Sequence, residues 1–120
     1  MYEYRAIVRK IHDGDTITVD VDLGFGMWAH DQQLRFLGIQ APELSTKPGE
    51  DALFYLRAKL PIGCTVKVST VKDRREKYGR MLAEVDLMLD GQPVLSVNKD
   101  MVDSGHAVAW DGKGPRPLGF

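Results

Sequence analysis

A single cysteine, Cys64, excludes an internal disulfide and leaves any thiolate-based metal framework without ligands. A lone thiol of this kind reads as a small buried hydrophobe in a reducing compartment. No apolar run approaches the roughly 20 residues that a bilayer span requires. The opening Met1-Tyr2-Glu3-Tyr4-Arg5 alternates like a strand and lacks a signal peptide's apolar stretch, so the cytoplasm is the expected location. Repeats and linkers are missing too, and 120 residues allow one domain with one core. With 43% hydrophobic and 28% charged residues, disorder is excluded. A net charge of −1 lacks the cation excess usual in nucleic-acid binders.

That near-neutral balance conceals a division. Residues 13–22 carry Asp13, Asp15, Asp20 and Asp22 with no cation. Residues 72–80 carry Lys72, Arg74, Arg75, Lys77 and Arg80 against Asp73 and Glu76. An acidic and a basic patch on one small domain suit a metal bridging to an anion, and equally a solvated surface.

Ile17, Val19, Val21 and Leu23 alternate with polar residues, which predicts a half-buried strand. Tyr2 to Ile11 is a strand before it, joined through an Asp13-Gly14 turn. Gly24-Phe25-Gly26 turns the chain again, into a third strand over Gln33 to Ile39. Cys64 to Val71, with Val66 and Val68 inward, and the alternating 80–90 give two more strands, the last ended by Asp90-Gly91. A helix follows Pro48, with Glu50 and Asp51 at its positive end and Leu53, Leu56 and Leu60 as its apolar stripe; Pro61 and Gly63 stop it. A second helix starts at a Ser96 cap, buries Val97 and Met101, and stops at Gly105. The order strand-strand-strand-helix-strand-strand fits a five-stranded OB barrel with two helices (mainly β, α+β) better than a βαβ sheet. The barrel domain spans 1–110, and 111–120 is a Gly/Pro-rich tail.

Three segments carry chemistry: Asp13-Gly14-Asp15-Thr16; Leu34-Arg35-Phe36-Leu37-Gly38-Ile39-Gln40-Ala41-Pro42-Glu43; and Lys77-Tyr78-Gly79-Arg80. Their order and spacing resemble the staphylococcal nuclease (thermonuclease) family over roughly residues 2–110. The resemblance implies a Ca²⁺-dependent nuclease acting on single-stranded or duplex DNA and on RNA, leaving 3′-phosphate and 5′-hydroxyl ends. It implies Glu43 as general base, Arg35 and Arg80 as stabilisers of the transition state, and Lys77 and Tyr78 on a flanking phosphate. Trp110 approximates the position of a base-stacking aromatic. Asp15, Gln40 and the Ala41 carbonyl fall at the calcium ligands. The chain is expected to act away from membranes, as a monomer or homodimer.

Elementary chemistry agrees with those roles. Phosphodiester hydrolysis needs a water, a base for its proton, and cations on the phosphoryl oxygens. Glu43 follows Pro42 at a strand exit, where a carboxylate can reach a water. Two guanidinium forks engage one phosphate with paired hydrogen bonds and stay charged at any working pH. Asp15, at a strand start, offers Ca²⁺ a hard oxygen. Other metal motifs fail: His12, His30 and His106 share no ligand spacing. In an EF-hand reading from Asp20, Phe25 stands where glycine belongs and Asp31 where glutamate does.

Two departures from the family pattern matter. Gln40 replaces a calcium-binding carboxylate, and one charge about 4 Å away is worth at most about 4 kcal/mol at an effective dielectric near 20. Screening reduces that to roughly 1–3 kcal/mol, which predicts weakened rather than abolished metal binding, with Asp13 able to compensate if close. The Gly/Pro tail also stands where the family continues into a third helix. Gln40 favours the alternative reading, a catalytically weak or inactive module that binds nucleic acid or protein.

Overall fold

The computed structural model describes residues 2–75 and 79–117, with side chains described for all of these except 72–75. In chain order the elements are β1 (Tyr2–Asp13), β2 (Thr16–Gly24), β3 (Met27–Phe36), β4 (Ile39–Gln40), α1 (Lys47–Lys59), β5 (Thr65–Arg75), β6 (Met81–Leu89), β7 (Gln92–Ser96), α2 (Val97–Asp103) and β8 (Val108–Ala109). Strands β3-β2-β1-β5-β6 lie side by side as antiparallel neighbours. The ring then closes through a parallel pairing of β3 with β6, Leu34 opposite Met81, Arg35 opposite Leu82 and Phe36 opposite Ala83. The result is the expected five-stranded OB-type barrel with two helices.

β6 pairs with β5 along one edge and divides its other edge between two partners. Met81 to Ala83 closes the barrel on β3, while Asp86 to Leu89 pairs with β7 beyond the barrel wall. β7 was not anticipated beyond the Asp90-Gly91 turn. Its short run with Pro93 carries little strand signal, and it lies at an edge of the sheet, where proline is tolerated.

β2 differs from its predicted half-buried pattern. Thr16 to Val21 are buried on both faces, the apolar residues toward the core and the polar ones beneath neighbouring side chains. Thr18 meets His12 (2.6 Å), and Asp20 accepts from Arg9 Nε (2.7 Å). Conversely, Leu23 at the strand end is exposed, as are Phe25 and Met27 of the hairpin, because β2 and β3 run on past the core.

The core is one cluster. Val8, Ile17, Val19, Leu34, Phe36, Val66, Val68 and Val85 come from the barrel strands, Leu53 and Leu56 from α1 with its C-cap Leu60, and Val97 and Met101 from α2. Each fully buried side chain of this size contributes about 1.5–3 kcal/mol. α1 is capped by Thr46, whose hydroxyl accepts from the Gly49 amide (3.1 Å), and α2 by Ser96 as predicted. Asn98, buried on α2, accepts from the Val85 amide (2.9 Å) and donates to the carbonyls of Leu37 (2.9 Å) and Ala83 (3.1 Å). It thereby ties α2, β6 and the corner after β3 together. Cys64 is half-buried against the core, and burial raises its thiol pKa.

Candidate active site

Four side chains far apart in sequence meet at the barrel mouth. Asp15, Arg35, Glu43 and Arg80 line one open cleft of about 180 Å³, with Asp13, Gln40, Ala41, Pro42, Leu44 and Arg116.

Backbone geometry explains the convergence. A bulge between Ile11 and Asp13 ends the regular pairing of β1 with β2. The turn that follows places the Asp13 carboxylate on the Asp15 amide (3.0 Å). Gly14 lets this turn lie against the loop and α1, since a Cβ there would sit 2.8 Å from those of Ala41 and Ala52. Asp15 then accepts from the Ala41 amide (2.9 Å) across 26 positions of chain, which ties the turn to the start of the Ala41 to Glu43 loop. β8 pairs with β4, and Trp110 N–H donates to the Gly38 carbonyl (2.9 Å), which fixes the loop from outside. The Glu43 carbonyl accepts from the amide (3.0 Å) and hydroxyl (2.6 Å) of Thr46. Gly49 is obligatory beneath it, because a Cβ would run into that same carbonyl oxygen.

Arg35 is held on several sides. Its Nη1 donates to the carbonyls of Phe36 (2.9 Å) and Ile39 (3.0 Å) and lies 3.3 Å from Asp15 Oδ2, while Nη2 donates to Gln40 Oε1 (2.8 Å). Burial lowers its pKa, Asp15 opposes that, and the group stays a guanidinium. Burial also pushes the Asp15 carboxyl up to about 6, with Arg35 pulling it down and Asp13 adding to the rise. Arg80 Nη1 donates to Thr16 Oγ1 (3.2 Å), whose hydroxyl donates to Asp15 Oδ1 (3.2 Å), so one threonine links the two sides of the cleft. Glu43 is exposed and pairs through Oε1 with Arg116 Nη1 (3.5 Å).

Leu44 and Arg116 are lining residues that sequence reasoning missed, Arg116 because a Gly/Pro tail has no periodicity to reveal where a side chain points. Trp110 does not line the cleft; its indole N–H donates to the Lys113 carbonyl (3.1 Å) in the tail. Lys77 and Tyr78 lie outside the described residues. The three histidines stand apart from the cleft: His12 on Thr18, His30 on Asp20, and His106 against the Tyr55 ring.

The donors assigned to calcium do not fit a cation as they are arranged. Ca²⁺ takes six to eight oxygens at about 2.3–2.6 Å. Gln40 instead turns its Nε2 donor onto the Ala41 carbonyl (2.8 Å). Its orientation is fixed, since a flipped amide would set Nε2 against the Arg35 donor. Both Asp15 oxygens already accept from protein groups. Among the described residues, no group of three or more His, Cys, Asp or Glu is disposed to hold a metal.

Residues 33–116 match the family described as staphylococcal nuclease homologue. The chain belongs to that family. It is also 28% identical over 119 residues to Endonuclease YhcR of Bacillus subtilis (strain 168), an alignment covering 90% of this chain. The chain spans only 9% of that relative's length. Membership in this nuclease family gives the paired arginines and the carboxylate at the barrel mouth a common chemical context.

Proposed function

We propose that this domain hydrolyses phosphodiester bonds of DNA or RNA. The observation that carries the reading is the meeting of Asp15, Arg35, Glu43 and Arg80 in one cleft. Family membership and the endonuclease relative support it. Glu43, exposed at the rim, takes a proton from a water that attacks phosphorus. The bond to the 5′ oxygen breaks, and that oxygen takes a proton from solvent, leaving a 3′-phosphate and a 5′-hydroxyl. Arg35 and Arg80 hold the phosphoryl oxygens as charge builds on them. Arg35 reaches this state already oriented, because Phe36, Ile39 and Gln40 fix its fork before substrate arrives. Lys77, Tyr78 and Trp110 are assigned to the flanking nucleotides.

The test is cleavage of a labelled single-stranded DNA and of a matching RNA by the wild type and by Glu43→Gln. Loss of a general base should lower the rate about 10²- to 10⁴-fold. Equal rates in the two proteins would refute the role of Glu43. Salt-sensitive retention of the oligonucleotide without products would establish the binding-module alternative.

A further inference from the structure

We propose that the cleft takes no resident divalent cation: the Gln40 amide occupies the cation's place, and Arg116 adds positive charge. The proposal deepens the nuclease reading above and rests on it for the claim that turnover is cation-independent.

The first argument is local. Gln40 is buried, and its amide spans the gap between Arg35 Nη2 and the Ala41 carbonyl, 2.8 Å at each end. A cation at that carbonyl would have to displace Nε2. For Gln40 to offer Oε1 instead, it would have to abandon Arg35 and strand a buried guanidinium donor, which is costly. Asp15 is no freer. Its Oδ2 accepts from the Ala41 amide and faces Arg35, and its Oδ1 accepts from Thr16. Gln40 Oε1, the Ala41 carbonyl and Asp15 Oδ2 are thus each engaged by protein donors.

The second argument is charge. The described lining sets Asp13, Asp15 and Glu43 against Arg35, Arg80 and Arg116. Three potential negative charges face three positive ones, so the cleft makes no demand for an added divalent ion. A carboxylate at position 40 would break that balance. It would also remove the donor from the Ala41 carbonyl, leaving two oxygens pointing at one spot. The side chain at 40 therefore decides whether the cleft is completed by an ion or by the chain itself. With the amide present, three guanidinium groups and no metal hold the phosphoryl oxygens of the substrate.

The experiment is calcium titration calorimetry on the wild type and Gln40→Asp, beside oligonucleotide cleavage in excess Ca²⁺ and in EDTA. The wild type should show no saturable calcium binding up to about 1 mM, the weak end of protein calcium sites. Its cleavage should change less than about twofold between the two conditions, whereas Gln40→Asp should bind calcium at least about tenfold more tightly. Saturable wild-type binding that disappears in Asp15→Asn would overturn the proposal, as would a tenfold or greater loss of cleavage in EDTA. Binding left unchanged in affinity by Asp15→Asn lies outside the cleft, which then takes no cation, as proposed. Absence of cleavage in both conditions sinks the nuclease reading alone, and the wild-type calorimetry then decides the cation question whether or not Gln40→Asp folds.

Discussion

Replacing Asn98 by alanine should cost far more than its short side chain would suggest. Asn98 is 6% exposed and makes three hydrogen bonds, from the Val85 amide and to the carbonyls of Leu37 and Ala83. Each such bond is worth about 1 kcal/mol net. The Ala83 carbonyl keeps a second donor, the Leu37 amide at 2.8 Å, so its loss is mild. The Val85 amide loses the acceptor it has in the folded chain, and a buried orphan donor adds about 1–3 kcal/mol. The total is about 3–5 kcal/mol, or roughly 12–20 °C in Tm for a domain of this size. Urea and thermal unfolding followed by circular dichroism measure it. Asn98→Asp supplies the control of shape. It keeps the acceptor for Val85 but sets a carboxylate oxygen against two carbonyls, so it should be at least as damaging as alanine. A loss below about 1 kcal/mol for alanine, or a neutral aspartate, would refute the reasoning.

Gly49→Ala tests how Glu43, the proposed base, is positioned. Alanine in a helix ordinarily stabilises by up to about 1 kcal/mol relative to glycine. Here it should destabilise by about 2–4 kcal/mol and lower kcat/KM per folded molecule, because the new methyl meets the Glu43 carbonyl. Stability should also respond to pH through two aspartates of opposite sign. Asp20, held down to about 2 chiefly by Arg9, supports the fold above about pH 4 and loses that support as pH falls through 2. Asp15, raised to about 6 by burial, contributes most below its ordinary 3.8 and loses that contribution as pH rises through 6. Carboxyl carbon NMR titration should place the two midpoints on either side of 3.8, and coincident midpoints would contradict both environments.

The barrel was legible because its core strands alternate and its helices announce their ends: Ser96 and Gly105 bracket α2 as read from sequence. The first half of β3 was not. Met27 to Gln33 is largely exposed, since the hairpin has no core beneath it there, and without a buried face there is no alternation to detect. β4 and β8 have two residues each and exist through their pairing with one another, a tertiary fact. In the cleft, the gathering of Asp15, Arg35, Glu43 and Arg80 was legible through the family resemblance that their segments carry. What Gln40 does there was illegible: a glutamine can offer oxygen or nitrogen, and the choice is made by Arg35 five residues away. Arg116 was hidden for a related reason, because its place depends on how the tail folds back after Trp110 docks on Gly38.

The parallel seam between β3 and β6 has a consequence for the history of each molecule. It joins Leu34 to Met81, whereas β1, β2 and β3 are linked by short turns, so the seam is a long-range pairing whose loop must close before its contacts reward folding. Arg35 lies on one lip of that seam, and Arg80 directly precedes the strand on the other. A chain that has collapsed without zipping this edge holds its two guanidinium forks apart. The cleft proposed to cleave nucleic acid is therefore assembled only in a copy whose barrel has closed.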